Sequence, residues 1–227
     1  MRPIRETNAG QHAATLLALA FLLLMASPSA RAQEKKSPTM PAAGFVLVLH
    51  GGAGVIPKED LTPEKEKAAR ATMEAALLAG HSVLARGGKS VDSVIAALKI
   101  LEDSPIFNAG KGSVLTADGT VGMDASIMDG ATRKAGACAD VKHVKNPIEL
   151  ARLVMDQTPH VLLTGDGAEM LAKEHGLPLM PAEYFITDHR KLQLQRIQQL
   201  EKKFKAAEKK AQLNSLENIG TIGAVAL

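Results

Sequence analysis

The sequence is poor in aromatic residues and has no tryptophan. Aromatic side chains make up 3% of the 227 residues, with one tyrosine and five phenylalanines. Recognition of bases or sugars by stacking on aromatic rings therefore has little to build on. The hydrophobic content is nevertheless 46%, so the core must consist mainly of Ala, Val, Leu, Ile and Met. A chain of this length and composition is large enough for one domain with a substantial core.

Cysteine is almost absent as well. Cys138 is the single one, which excludes an intrachain disulfide. Its neighbours in the chain are glycine and alanine, so we interpret it as a small core residue and not as a nucleophile. The formal net charge of +3 is too small to indicate a nucleic-acid-binding protein, and we expect no nucleic acid among the partners.

Residues 1–32 have the composition of a secretory signal peptide. Two arginines precede an apolar run at residues 13–26, and the A-x-A pattern at residues 30–32 offers a cleavage site before Gln33. The run is short for a bilayer span. We therefore expect a periplasmic or secreted protein with no stable membrane anchor after cleavage. An anchor that stays uncleaved is the alternative.

After a Lys-, Ser- and Pro-rich N-terminus at residues 33–43, the first predicted strand runs into a glycine-rich loop. Residues 45–49 are apolar without interruption over the length of a strand, which predicts a central strand. The loop His50-Gly51-Gly52-Ala53-Gly54 follows at once, and its glycines permit positive φ and close approach of the backbone to another group. It lacks the Lys-Ser/Thr pair of a phosphate-binding loop, and nucleotide binding is therefore disfavoured.

Helix caps, turn dipeptides and apolar spacing predict the next elements. Thr62, Ser90 and Asn146 are placed to cap three helices, and two Asp-Gly dipeptides are placed to close hairpins. Helices and hairpins lie in separate runs, which favours an α+β layered domain over βαβ alternation. In order, we expect a helix at 63–86, a helix from 90 that ends before the loop 102–105, an antiparallel meander at 113–141, a helix at 147–157, a short strand at 161–163 and a helix at 167–175.

Residues 190–210 differ from the rest in being basic and rich in glutamine. They contain eight Lys or Arg residues against two Glu. Leu192 and Leu194 interrupt helical spacing, so the pattern predicts a partly helical, exposed basic linker, which extends over residues 190–219. A contact with nucleic acid or with an anionic membrane is the alternative. An exposed linker is also the setting that a cleavable junction just after it requires.

Residues 218–227 are mostly small or β-branched and contain the bond Gly220-Thr221. Cleavage of that bond would give Thr221 a free α-amine next to its own hydroxyl, so that one residue holds nucleophile and general base. Such an amine titrates at about 7.7 to 8.0 when unperturbed, and part of it is neutral at physiological pH. Taken alone, the dipeptide also fits an ordinary junction between a glycine and a strand.

Four stretches in this order resemble the plant-type L-asparaginase and isoaspartyl peptidase family, whose members are threonine-type N-terminal-nucleophile (Ntn) hydrolases. Each motif alone is unspecific, but the ordered set with a Gly-Thr bond at its end is typical of that family. The resemblance covers the chain from Phe45 onward. The stretches are His50–Gly54, Leu101–Gly112, Met123–Gly130 and Gly220–Leu227.

The resemblance implies a precursor that cuts itself. Cleavage at Gly220-Thr221 would leave residues 33–220 as the α subunit and residues 221–227 as the start of the β subunit, with Thr221 as the nucleophile. The subunits would remain together in an αββα four-layer sandwich and form an (αβ)2 heterotetramer. The implied activity is hydrolysis of L-asparagine and of β-aspartyl (isoaspartyl) dipeptides. Glycosylasparaginase, which shares nucleophile and fold, is the alternative enzyme.

The resemblance also predicts which residues surround the nucleophile. Asn108 matches an asparagine that lines the family's active site, and the loop with His50, Gly51 and Gly52 matches one next to the threonine. Without the family, Asn108 is a turn residue and His50 a hydrogen-bonded histidine at a strand end. No organic cofactor is implied, but one loop matches a sodium-binding loop whose backbone carbonyls hold the ion. Its positions are Leu101, Glu102, Ser104, Phe107, Ala109 and Lys111.

This sequence departs from the family after Leu227, where family members continue into most of the β subunit. A second active-site threonine, the Arg and Asp that bind the substrate and the oxyanion donors belong to that part. We therefore expect an incomplete sandwich and an inactive polypeptide as given, since one oxyanion donor typically contributes about 10² to 10³ in rate. A truncated, non-catalytic remnant is the alternative from outside the enzymes.

Overall fold

The computed structural model describes residues 44–52, 62–206 and 221–227. The predicted signal peptide and Gly220 lie outside the described residues. Within these ranges, no helix is long and apolar enough to span a membrane. The elements, in chain order, are β1 (Leu47–His50), α1 (Pro63–Ala85), α2 (Ser90–Glu102), β2 (Met123–Asp129), β3 (Lys134–Val141), α3 (Pro147–Gln157), β4 (Leu162–Thr164), α4 (Gly165–Glu174), a 3₁₀ turn (Ala182–Tyr184), α5 (Asp188–Ala206) and β5 (Gly223–Ala226).

The fold is a mixed α+β arrangement, as the sequence predicts. β1 and β5 form one antiparallel pair, and β2, β3 and β4 form a second sheet in that order. The predicted meander consists of the β2–β3 hairpin and an isolated bridge between Leu115 and Val121. β4 joins β3 in parallel, so the chain from β3 through α3 to β4 is a βαβ unit that the sequence did not predict.

Small residues allow α1, α2 and β1 to approach one another closely. Thr62 caps α1 as predicted, because its Oγ1 accepts the N–H of Lys65 at 3.3 Å. The Ser93 hydroxyl of α2 donates to the carbonyl of Gly80 in α1 at 2.9 Å. A Cβ at Gly80 would lie 2.6 Å from the Leu47 side chain of β1. A larger residue at this position would push the helices and the strand apart.

Two buried clusters fill the space between helices and sheets. The first joins α1, α2 and α3 to β2, and Ile222 and Ala224 near the start of β5 pack against it. The second lies between β2, β3, α3 and α4 and includes the fully buried Phe185. α3 contacts the hairpin so closely that a Cβ at Gly136 would overlap the backbone of Ala151 and of Met155.

One predicted helix cap is wrong, and a second holds its position without the expected side-chain bond. The N-cap position of α2 is Lys89 and not Ser90. Asn146 holds the N-cap position of α3, but its side chain makes no capping bond. The carboxylate of Glu102 instead accepts the N–H of Ile148 at 3.0 Å. A carboxylate from another helix satisfies the orphan amide and also interacts favourably with the positive end of the helix dipole.

The predicted exposed linker requires a correction in its first part. Residues 188–206 form the continuous helix α5. Arg190 is 1% exposed and Gln193 is 7% exposed, so the start of this helix is built into the protein. Apolar spacing failed here because the buried face of α5 begins with polar side chains, which that criterion counts as solvent-facing. Residues 207–220 of the predicted linker lie outside the described part.

The prediction of a central first strand is also corrected. β1 begins at Leu47, and in the described part of the chain it pairs with β5 alone. Leu47 and Leu49 are half-buried, whereas Val48 is 60% exposed. The apolar run therefore alternates between a covered and an open face, a distinction that an uninterrupted hydrophobic stretch does not encode.

Candidate functional site

A cavity of about 540 Å³ brings together residues from three of the motifs. Thr221 and Asn108 both line it, although they are 113 positions apart in the sequence. Strand β2 supplies Asp124 and Ser126, and the end of α2 supplies Glu102. A cavity lined by convergent polar groups on an apolar background is the usual form of a small-molecule site.

Asn108 is held with one end of its amide fixed. Its Oδ1 accepts the N–H of Val114 at 2.8 Å. Because a backbone N–H can only donate, this contact assigns the oxygen to that side and leaves Nδ2 for the other. Asn108 therefore serves as the turn residue that the sequence suggests, and its amide NH₂ remains available to donate.

Thr221 is exposed and lies two residues before the start of β5, the strand that pairs with β1. His50 lies opposite Gly223, two residues after Thr221. A Cβ at Gly223 would overlap the imidazole of His50, so the ring covers this part of β5. The glycine allows the histidine to lie close to the strand that carries Thr221, which agrees with a supporting position at a strand end.

The first glycine loop rests on the loop that carries Asn108. A Cβ at Gly51 would lie 2.6 Å from Cε1 of Phe107, which is 5% exposed. The glycine thus permits contact between the backbone after β1 and the residue that precedes Asn108. His50, Gly51 and Gly52 themselves are not among the residues that line the cavity, whereas Glu102, Asn108, Ala109 and Thr221 are.

The side chain of Glu102 is a site feature that sequence reasoning missed. It is 4% exposed, and its Oε2 has no hydrogen-bond partner in the part of the chain that the structure describes. Burial raises the pKa of this carboxyl to about 8. Hydrogen bonds from Ile148 and Asn146 lower the pKa, and the nearby Glu149 and Asp103 raise it. An acidic residue that continues the apolar stripe of α2 was the available signal.

Asp124 is the second missed carboxylate. Its Oδ1 accepts the N–H of Asp140 at 2.9 Å, where the register of β2 and β3 shifts. Asp140 has a φ of 53°, in the left-handed region that non-glycine residues rarely adopt. The hydrogen bond supports this irregularity in the hairpin, and the bulge directs Asp124 to the cavity.

Two other kinds of site, a cysteine nucleophile and a metal centre of His, Cys, Asp or Glu side chains, find no support among the described residues. Cys138 is 1% exposed, and burial raises the pKa of its thiol to about 12, so the thiol stays protonated and the prediction of a core residue is confirmed. Among residues 44–52, 62–206 and 221–227, no group of three or more His, Cys, Asp and Glu side chains could hold a metal ion.

Comparisons with known proteins identify the family to which this arrangement corresponds. A family model described as asparaginase matches residues 43–227. The chain is 43% identical over 194 residues to rat isoaspartyl peptidase/L-asparaginase, covering 84% of this chain and 55% of the relative. It is 45% identical over 183 residues to the human isoaspartyl peptidase/L-asparaginase, covering 80% and 56%. It is 40% identical over 182 residues to the isoaspartyl peptidase of Escherichia coli K12, covering 80% and 56%.

The α+β fold, the terminal threonine motif and these matches define the chain as part of an Ntn hydrolase. More narrowly, the chain belongs to the asparaginase family, and the resemblance identified from its motifs is confirmed. The chain spans about half the length of the curated relatives that it matches.

Glu102 generates a prediction about stability and pH. The folded protein binds more protons than the unfolded one between the ordinary pKa of 4.5 and the raised pKa of about 8, so the free energy of unfolding falls as pH rises through that window. The slope from this group is at most about 1.4 kcal/mol per pH unit. Glu102→Gln keeps an acceptor for Ile148 but removes the titration, and we expect a flatter pH profile.

Urea unfolding at about pH 5 and at about pH 8 measures the difference. Glu174→Gln is the matched control, because Glu174 is exposed near the end of α4 and its replacement should leave the wild-type slope unchanged. Equal slopes in the wild type and in Glu102→Gln would contradict the assignment of this pH dependence to Glu102.

Proposed function

We propose that the complete protein is an N-terminal-threonine amidohydrolase that acts on L-asparagine and on β-aspartyl dipeptides. The observation that carries this proposal is the presence of Thr221 and Asn108 on the wall of one cavity. The names of the rat and human relatives agree with both substrate classes, and the name of the Escherichia coli relative agrees with the isoaspartyl class. Fold alone would be a weak argument, because function resides in the site.

The chemistry follows from the two groups that a cleaved Thr221 would hold. Its neutral α-amine accepts the hydroxyl proton, and Oγ1 attacks the carbonyl carbon of the substrate's side-chain amide. The C–N bond breaks, and the leaving nitrogen takes the proton and departs as ammonia or as an amino acid. Water then attacks the acyl ester, which releases the carboxylate and restores the hydroxyl. No histidine is needed in the proton transfer.

Asn108 has a role that suits this reaction. The Val114 N–H bonds to its Oδ1, which assigns the orientation of the amide and leaves the Nδ2 group to donate elsewhere. A fixed donor can orient the nucleophile or stabilise charge that develops on the reacting oxygen, and such preorganised donors contribute strongly in sites that exclude water. We therefore propose that Asn108 donates to the reacting centre through Nδ2.

The finer features of the protein are part of the same proposal. Cleavage at Gly220-Thr221 produces α and β subunits that remain together in a four-layer αββα sandwich and assemble as (αβ)2. The signal-like composition of residues 1–32 supports export to the periplasm or beyond the cell. The mass of the mature α subunit tests both points, since processing predicts a fragment that starts at Gln33 and ends at Gly220.

The activity is tested with the protein expressed from its complete gene. We expect release of aspartate from L-asparagine and from β-aspartyl dipeptides, because both place a side-chain amide before the nucleophile. A glycosylated asparagine is the comparison substrate. Activity on that compound alone would favour a glycosylasparaginase, and no activity on any of the three would favour a non-catalytic remnant.

Thr221 generates a second prediction, on maturation. In the uncut precursor the hydroxyl must attack the carbonyl of Gly220, and a glycine there leaves the approach open and tolerates strain. We expect the wild-type precursor to mature without added protease, Thr221→Ser to cut slowly and Thr221→Ala to stay uncut and inactive. Mass spectrometry reads all three. Cleavage of Thr221→Ala at the same bond would assign the cut to an outside protease.

We further propose a sodium ion in the loop from Leu101 to Lys111. The carbonyls of Ser104, Phe107, Ala109 and Lys111 accept no hydrogen bond from the described part of the chain and remain available to a cation. Those of Leu101 and Glu102 accept one each from the loop, and a carbonyl oxygen has two acceptor sites. The donor set therefore fits a hard cation, which would tie these carbonyls together and stiffen the loop that carries Asn108.

Exchange of sodium for a large organic cation tests that proposal. We expect a lower melting temperature and a lower kcat in tetramethylammonium chloride than in sodium chloride at equal ionic strength, because the carbonyls would repel one another without the ion. Equal stability and rates in the two salts would argue against a sodium site.

A further inference from the structure

Arg190 is a buried cation in the helix α5. It is 1% exposed, and its Nε donates to the carbonyl of Gly112 at 2.7 Å. Its Nη1 donates to Oε1 of Gln193, one turn further along the helix, at 2.8 Å. A buried charge is costly unless hydrogen bonds replace its hydration, so the location of these acceptors constrains where the guanidinium lies.

The glycine whose carbonyl Arg190 contacts is also bound through its N–H. The N–H of Gly112 donates to the carbonyl of Phe185 at 3.0 Å, and Phe185 is fully buried. Gly112 has a φ of 107°, and a Cβ there would lie 2.6 Å from the carbonyl of Pro105. Both polar groups of this glycine are therefore bound to the segment 185–190, and its backbone conformation excludes other residues.

A short chain of contacts leads from that peptide to Asn108. Ser113, which follows Gly112, is 5% exposed and donates through its hydroxyl to the carbonyl of Gly110 at 3.0 Å. Val114 comes next, and its N–H is the donor that holds Oδ1 of Asn108. The orientation of the Gly112–Ser113 peptide thus affects the direction in which the Val114 N–H points.

We propose that Arg190 is a positioning residue for the reaction. By holding the Gly112 carbonyl, its guanidinium fixes the direction of the Val114 N–H, and that N–H holds the Asn108 amide with Nδ2 toward the cavity. This inference rests on the proposed function. Arg190 touches neither the nucleophile nor the substrate. The helix that sequence reasoning treats as an exposed linker therefore takes part in organising the site.

An arginine is suited to this position for a geometric reason. Its planar guanidinium presents donors in fixed directions, so Nε can hold a backbone carbonyl while Nη1 holds a side chain. A lysine has a single nitrogen on a flexible stem and cannot reproduce both contacts at these places. Arg190→Lys therefore retains the charge and changes the geometry, whereas Arg190→Met removes both.

The test compares Arg190→Lys and Arg190→Met with the wild type in the complete protein. We expect kcat on a β-aspartyl dipeptide to fall roughly 10- to 100-fold per folded molecule with little change in KM, the scale that small misplacements of catalytic groups produce. Hydrogen–deuterium exchange of the Val114 amide should rise at the same time.

Two control variants separate positioning from general stability. Gln198→Ala removes a contact of the same helix with the carbonyl of Ala117, beyond Val114, and should change neither readout. Ser93→Ala removes a buried hydrogen bond between α1 and α2, and should lower the melting temperature without changing kcat per folded molecule. If both Arg190 variants fail to fold, Gln193→Ala, which removes the acceptor that orients the guanidinium, is measured instead and should lower kcat and raise exchange.

The outcomes separate this inference from the proposed function. If the wild type is inactive on every substrate, the proposed function is contradicted. The exchange rate of the Val114 amide in the Arg190 variants then tests only whether Arg190 fixes this amide. Faster exchange together with lower kcat supports the positioning role. Unchanged exchange overturns it, and so does an unchanged kcat per folded molecule, because each breaks the route from Arg190 to Asn108.

Discussion

The hydrogen bond from the Lys111 N–H to the Glu102 carbonyl, 2.7 Å long, closes the loop on which the candidate site depends. It forms because the chain turns back through Gly110 at a φ of 48°, where a Cβ would collide with the Glu102 carbonyl. Any other residue would need both a left-handed backbone and space that is already filled. The closed loop carries Asn108, which lines the cavity, and leads into Gly112, whose carbonyl accepts from Arg190 of α5.

Two neighbouring carboxylates join this loop to the start of α3. Asp103 accepts from Lys145 at 3.1 Å and from Asn146 at 3.2 Å, and these partly exposed contacts contribute on the order of 1 kcal/mol or less each. Glu102 is buried, and above neutral pH its charge is unfavourable for stability. We therefore explain the buried position of Glu102 by its hydrogen bond with the N–H of Ile148, which lines the cavity. A local loss of stability of this kind is common at functional sites.

Local signals predicted local structure well where both partners are close in the chain. Thr62 caps a helix three residues away, and the Asp118-Gly119 dipeptide closes the bridge between Leu115 and Val121. The cap signal at Ser90 missed the N-cap by one residue, and Asn146 holds its N-cap position without a capping bond because its side chain bonds to another element. The Asn146 amide donates to Asp103. The Glu102 carboxylate accepts the N–H of Ile148, which a capping Asn146 side chain would otherwise have bound.

For the site, the sequence by itself determined the family, through four motifs in family order, and predicted the side chains that carry the chemistry: Thr221 after a glycine and Asn108 in a glycine loop. Only the tertiary structure decided which end of the Asn108 amide Val114 binds and which polar groups are buried. Glu102 and Ile148 are 46 residues apart, and Arg190 and Gly112 are 78 apart. Such pairs leave no periodicity in a single sequence, because each depends on how separate elements pack and on which hydrogen-bond partners burial then leaves within reach.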